Sequence, residues 1–182
     1  DKMINLYKRR KFSYINGYTS SIAMLARHLR SKNLVLKELC PSLTFCITTS
    51  EMLFPNDRKV IEDHIGVPVI NEYGASELDI IAFEDTDGDW LLNDKTLYTE
   101  VVDDDDRAVP NGEEGHLVIT GLYNQGHPFI RYKIGDVGVI DTETKNGIPR
   151  LKKLTGRTNE FALLPSGKRV PALTFYYVTK SL

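Results

Sequence analysis

The chain has 182 residues, of which 41% are apolar, and a formal net charge of −2. That balance describes a soluble globular chain long enough to bury a core. It carries no basic excess of the kind that nucleic acid requires, and no apolar run approaches the about 20 residues of a bilayer-spanning helix.

Asp1-Lys2-Met3-Ile4 has neither an initiator nor the charged-then-apolar layout of a secretory signal, so the chain reads as an internal segment of a cytoplasmic protein. Cys40 and Cys46 have no further Cys or neighbouring His to complete a zinc set, which makes them buried free thiols. The basic residues between Lys2 and Lys11 read as a solvated helix end. Phe12 to Tyr18 reads as a short strand and a turn through Gly17, after which Thr19 or Ser20 is placed to cap a helix. Ile22, Leu25, Ala26 and Leu29, at i, i+3, i+4 and i+7, give that helix one buried face. Leu43 to Thr48 suits a strand. Pro55 suits the first turn of a helix whose Val60, Ile61 and Ile65 face inward and which Gly66 ends. Val67 to Ile70 is the next strand, so helices and short apolar strands alternate and predict a parallel α/β layer over residues 1–77.

Past Glu77 the rhythm changes to short strands between turn-rich segments: Leu78–Phe83, Trp90–Leu92, Leu97–Val102, His116–Thr120, Phe129–Tyr132 and Val137–Ile140. This predicts a small antiparallel sheet or open barrel over residues 78–155. Asp103 to Asp106, and Asp85, Asp87 and Asp89, invite a calcium reading. Gly88 is out of place for an EF-hand loop and its twelfth position is Thr96, so both runs read as solvated turns.

Three stretches combine residue types that suit a nucleotide. Val67 to Glu77 is an apolar run that stops at Asn-Glu-Tyr-Gly-Ala-Ser-Glu, which would lie at the carboxyl edge of a parallel sheet where ligands bind. There Gly74 allows close backbone approach, Tyr73 offers a flat face, Ser76 a hydroxyl and Glu77 a hard oxygen for magnesium. The plainer reading is a strand exit with a capping serine. Phe129 to Asp136 would end a strand in Gly-Asp, whose carboxylate accepts from paired hydroxyls such as those of a ribose, against a simple turn residue. Arg157 follows Gly156, and its guanidinium suits phosphate oxygens, against a surface ion pair.

The ordered series Thr48-Thr49-Ser50-Glu51, Asn71 to Glu77, Glu113 to Thr120, Arg131-Tyr-Lys-Ile-Gly-Asp136 and Gly156-Arg157 resembles that of adenylate-forming, AMP-binding enzymes. The likeness extends from residue 12 to about residue 170 and is nearest the phenylacetate-CoA ligase branch, with its coenzyme F390 synthetase and capsular polysaccharide (CapK-like) members. The resemblance implies that Ser50 and Glu51 lie beside adenine, and that Glu72, Tyr73, Gly74, Ala75 and Ser76 cradle adenine and the α-phosphate, with Tyr73 against the ring. It makes Glu77 the magnesium ligand, Asp136 the ribose carboxylate, Arg157 a phosphate contact and Arg169 a second one. Asn159 stands where the family usually has a hinge aspartate.

The resemblance further implies ATP, magnesium and, as co-substrate, coenzyme A, acting on a small carboxylate that becomes an acyl-adenylate. No Gly/Ser/Thr-rich phosphate loop precedes residue 48, and neither Lys168 nor Lys180 matches the family's adenylation lysine. The expected layout is therefore the second half of a large domain, with a hinge at 156–160 and the start of a small domain at 161–182. Its partners would be the N-terminal half and C-terminal domain of the same enzyme, without which this chain alone would be inactive. Two other readings are adenylyl transfer to a hydroxyl, as in F390 synthetases, and a noncatalytic nucleotide-binding or assembly module.

Overall fold

A computed structural model describes residues 2–157, 161–167 and 169–171. The chain forms two compact units, 1–90 and 91–182.

In the first unit, α1 (Lys2–Arg9) leads to β1 (Tyr14–Tyr18), α2 (Thr19–Ser31) and the single turn α3 (Leu36–Leu39). β2 (Phe45–Thr49), α4 (Pro55–Ile65), β3 (Val69–Ala75) and β4 (Asp79–Glu84) follow. The strand order is β1-β2-β3-β4. β1 pairs parallel to β2, and β2 to β3, with Gly17 opposite Thr48 and Thr48 opposite Asn71. The expected apolar stripe of α2 is buried, joined by Ala23, and α4 buries Val60, Ile61 and Ile65 between Pro55 at its first turn and the left-handed Gly66 at its end. These side chains meet Leu36, Leu43, Cys46 and Val69 in one core. Burial of each Leu or Ile there contributes about 1.5–3 kcal/mol.

Two ion pairs brace this layer. Arg27 of α2 reaches the carboxylate of Asp57, a buried residue in the first turn of α4. Arg58 of α4 donates to the Val69 carbonyl of β3 at 3.0 Å and pairs with Glu84 of β4, so one guanidinium ties the helix to both strands. Cys40 and Cys46 are buried free thiols, as expected, and burial pushes the Cys46 thiol up to about 12.

The sheet departs from the sequence reading at β3. The expected strand ended at Ile70; the observed one continues through Ala75, because residues 72–75 pair antiparallel with β4. A hairpin turn at 76–78 joins the two strands, and the ladder shifts register between Tyr73 and Gly74. A side chain at Gly74 would put a Cβ 2.7 Å from the Asp79 carbonyl oxygen and 3.2 Å from the Ile80 Cα. The close approach that Gly74 permits is thus first of all that of β4. Gly17, expected in a turn, lies within β1.

The chain crosses into the second unit within β5 (Trp90–Leu92) and continues through β6 (Leu97–Val102), β7 (Glu114–Gly121), β8 (Tyr132–Lys145) and β9 (Ile148–Arg157). The order is β5-β9-β8-β7-β6, and the register is antiparallel from β5 to β9 to β8 to β7 to β6. The two strands expected at Phe129–Tyr132 and Val137–Ile140 are one long strand that starts at Tyr132 and does not end at Gly-Asp. Gly135, at φ +89°, sits where the β7–β8 ladder shifts register between the His116–Val137 and Val118–Lys133 pairs, so β8 runs on through an irregularity. β10 (Phe161–Leu163) and β11 (Arg169–Pro171) form a separate antiparallel pair. Among the described residues no helix is long and apolar enough to cross a membrane.

Gly74→Ala must push backbone against backbone, so it should destabilise the first unit by about 1–3 kcal/mol. Urea unfolding of the variant beside the parent checks this; equal midpoints would show that the hairpin yields.

Candidate functional site

The parallel strands of the first unit deliver two predicted segments to one sheet edge. Thr48, buried near the end of β2, donates its hydroxyl to the Asn71 side-chain oxygen of β3 at 3.1 Å. Ser50 and Glu51 leave β2 from that level, and Glu72 to Ala75 continue β3 beyond it. Exposed Ser50 adopts φ +63°, and Glu51 donates its N–H to the Thr49 carbonyl at 2.8 Å, closing a tight turn.

Glu51 also corrects the expected capping. The N-cap of α2 is Tyr18 and makes no side-chain cap bond. Buried Thr19 instead donates its hydroxyl to the Glu51 carbonyl at 3.1 Å. Ser20 donates its backbone N–H to Glu51 Oε2 at 2.6 Å and its hydroxyl to Oε1 at 3.0 Å. The carboxylate that satisfies the start of α2 comes from the loop after β2, where negative charge meets the positive end of the helix dipole.

Glu72, Tyr73 and Ala75 are half-buried on β3, and Gly74 is exposed. Ser76 and Glu77 occupy the exposed β3–β4 turn, which Leu78 N–H closes onto the Ala75 carbonyl at 3.0 Å. Glu77 therefore presents a hard carboxylate at the surface, a donor type that fits magnesium held by one or two carboxylates together with phosphate oxygens.

In the second unit Asp136 is buried on β8, and the register sets it opposite Arg157, the last residue of β9. Two predicted site residues far apart in sequence are thus cross-strand partners. Near them Glu114 of β7 accepts from Lys153 Nζ at 2.9 Å and from Thr155 Oγ1 at 2.6 Å, both on β9. The Thr155 hydrogen bond, with the Lys153 ammonium second, holds the Glu114 carboxyl below its usual range.

The Asp103–Asp106 turn is more than solvated. Asp103 Oδ1 accepts from the N–H groups of Asp105 and Arg107 at 2.9 Å each. His116 Nε2 lies 2.8 Å from Asp104, and Lys133 pairs with Asp106 at 2.7 Å. Arg131 donates to the Asp106 carbonyl at 3.2 Å and pairs with Glu100. The motif that ends in Asp136 is therefore moored to this turn through Arg131 and Lys133, partners that no local spacing reveals. The Asp85, Asp87 and Asp89 carboxylates approach within 4.8 Å of one another, and Asp85 Oδ1 accepts from the N–H groups of Asp87 and Asp89 in a self-capped turn. Arg169 begins β11, opposite Leu163. Asn159, Lys168 and Lys180 lie outside the described residues.

No family model matches the chain. Protein CapK of Staphylococcus aureus is 30% identical over 155 residues, which cover 81% of this chain and 32% of CapK. A phenylacetate-coenzyme A ligase of Pseudomonas putida is 28% identical over 113 residues, covering 59% of this chain and 26% of the ligase. The chain thus spans about a third or less of the curated relatives it matches. Among solved structures, a 2-hydroxyisobutyryl-CoA ligase in the postadenylation state with 2-HIB-AMP superposes at TM-score 0.81 with 21% identity, over 100% of this chain and 40% of that one. ATP-bound MatB from Rhodopseudomonas palustris superposes at TM-score 0.65 with 20% identity, over 94% of this chain and 35% of that one. The fold is shared with these enzymes at low identity.

Because the Glu114 carboxyl titrates below its unfolded value, its tie to β9 stabilises the second unit above the ordinary carboxylate range and is lost as pH falls through the lowered value. Glu114→Gln should lower stability at pH 7 by less than about 1 kcal/mol, the pair being solvent-exposed. Thermal unfolding from pH 7 downward should show the parent and the variant converging in acid; a constant gap would contradict the linkage.

Proposed function

We propose, for a chain whose homologues are phenylacetate-CoA ligases and CapK and whose fold is that of adenylate-forming acyl-CoA ligases, that it is the second half of the nucleotide-binding domain of an ATP-dependent acid–CoA ligase. The reaction is attack of a substrate carboxylate on the α-phosphate of ATP with loss of pyrophosphate, then transfer of the acyl group to the thiol of coenzyme A. The observation that carries the reading is the meeting of the Ser50-Glu51 and Glu72–Ser76 segments at one sheet edge, joined through Thr48 and Asn71.

In this reading Tyr73 packs on adenine, the backbone around Gly74 to Ser76 lies along the α-phosphate, and Asp136 accepts from the ribose hydroxyls. Arg157, and Arg169 with it, offset charge on the phosphate oxygens, so the protein acts chiefly by positioning and by electrostatic stabilisation. Glu77 would hold magnesium, which neutralises the triphosphate when bound. The hinge expected at 156–160 stays part of this reading; Gly156 and Arg157 close β9, and residues 158–160 lie outside the described residues. A second reading is adenylyl transfer to a hydroxyl acceptor in place of the coenzyme A thiol.

In the full-length protein, Glu77→Gln should slow ATP–pyrophosphate exchange at least tenfold and move its magnesium midpoint upward, while thioester formation from supplied acyl-AMP changes little. An unchanged midpoint and rate would remove the metal role. Asp136→Asn should weaken binding of a fluorescent AMP analogue at least tenfold. Mass spectrometry of the products separates the readings: an acyl-CoA supports the ligase, an AMP ester of a hydroxyl the transferase, and neither product in the presence of nucleotide binding a noncatalytic module.

A further inference from the structure

The loop between β2 and α4 holds a costly conformation at its first residue. Ser50 is a non-glycine at φ +63°, a left-handed region that a residue with a Cβ holds only where the surroundings impose it. The surroundings here are the first two residues of α2. Thr19 takes the Glu51 carbonyl, and Ser20 takes both carboxylate oxygens, one through its N–H and one through its hydroxyl. Each Glu51 oxygen therefore already holds a donor from α2. The helix that supplies them is itself fixed by Ile22, Ala23, Leu25, Ala26 and Leu29 in the core and by the Arg27–Asp57 pair to α4. Thr48, two residues before Ser50, is joined to Asn71 at the start of the other nucleotide segment.

We propose that Ser20 and Glu51 are positioning residues for the nucleotide: their contact clamps the Ser50 turn to α2 and so fixes the loop edge against which adenine lies. The inference rests on the ligase reading above, in which this edge faces the base. Glu51 then acts through its grip on Ser20, with its carboxylate spent on the helix, and Ser50 and the loop backbone are what the base meets. Freed from the clamp, the turn relaxes out of its left-handed conformation, and nucleotide binding must first restore it. Nucleotide affinity falls by the fraction of molecules that hold the bound form, and the chemical step within the bound complex is untouched.

The experiment uses the full-length protein carrying Ser20→Ala, Glu51→Ala, both together, or Ser20→Thr, with Asp136→Asn as the control on the site itself. Binding of a fluorescent AMP analogue, the KM and kcat of ATP–pyrophosphate exchange, and Tm are measured on the same samples. Ser20→Ala and Glu51→Ala should each raise KM for ATP about five- to twentyfold with kcat within about twofold. The double variant should be no worse than Glu51→Ala alone, and Ser20→Thr, which keeps the hydroxyl, should restore KM. Additive effects of the two single changes on KM would show that the residues act independently, and a lowered Tm with KM unchanged would assign the pair to folding alone; either overturns the proposal. If Asp136→Asn leaves analogue binding unchanged, the nucleotide reading itself fails and the proposal goes with it. If Asp136→Asn weakens binding while Ser20→Ala and Glu51→Ala do not, only the clamp fails.

Discussion

Parallel strands cannot be joined by a tight turn; the chain must travel back along the sheet before it can add the next one. In the first unit β1, β2 and β3 all run one way, so α2 with α3, and then α4, serve as the return paths and bury their apolar faces in a common core. The same constraint brings the carboxyl ends of the three strands to one edge. Whatever leaves those ends is gathered there: the start of α2 after β1, Ser50-Glu51 after β2, and the outer half of β3. Thr48 with Asn71, and Ser20 with Glu51, then turn proximity into defined hydrogen bonds.

The edge is finished by an antiparallel element. β3 outruns its parallel partner, and its exposed half would be an unpaired ladder if β4 did not fold back on it. Gly74 admits that return, and Arg58 secures it from behind by holding the Val69 carbonyl and Glu84 together. Glu72 to Glu77 are thereby part paired strand and part hairpin turn, where the sequence suggests a loop. The second unit reaches a comparable result by other means. There Asp136 is buried on one long strand, the neighbouring strand ends with Arg157 across from it, and ties through Glu114, Arg131 and Lys133 hold the two strands.

The acidic turn at 103–106 shows how composition misleads about role. Four consecutive aspartates look like a solvated run or a cation site. In the fold Asp103 caps the turn, Asp104 meets His116, and Asp106 meets Lys133, so the run moors the strand that carries Asp136. The Lys133–Asp106 hydrogen bond, which holds the Asp106 carboxyl below its usual range, joins residues 27 apart in sequence.

Much of the architecture was legible without coordinates. The i, i+3, i+4, i+7 stripe of α2, the Pro55 and Gly66 limits of α4, and the change from alternating helices to short strands near residue 77 are local patterns, and local steric and hydrophobic rules suffice to read them. The residue types of the candidate site, and the order of its motifs, were equally plain. Where a strand stops was not legible, because that depends on whether a partner continues the ladder: β4 prolongs β3 through Ala75, and β7 and β9 carry β8 past Gly135. Nor could the sequence say what Glu51 grips or what stands opposite Asp136. Those partners, Ser20 and Arg157, are brought near by strand register and helix return, and only the packed tertiary structure sets either one.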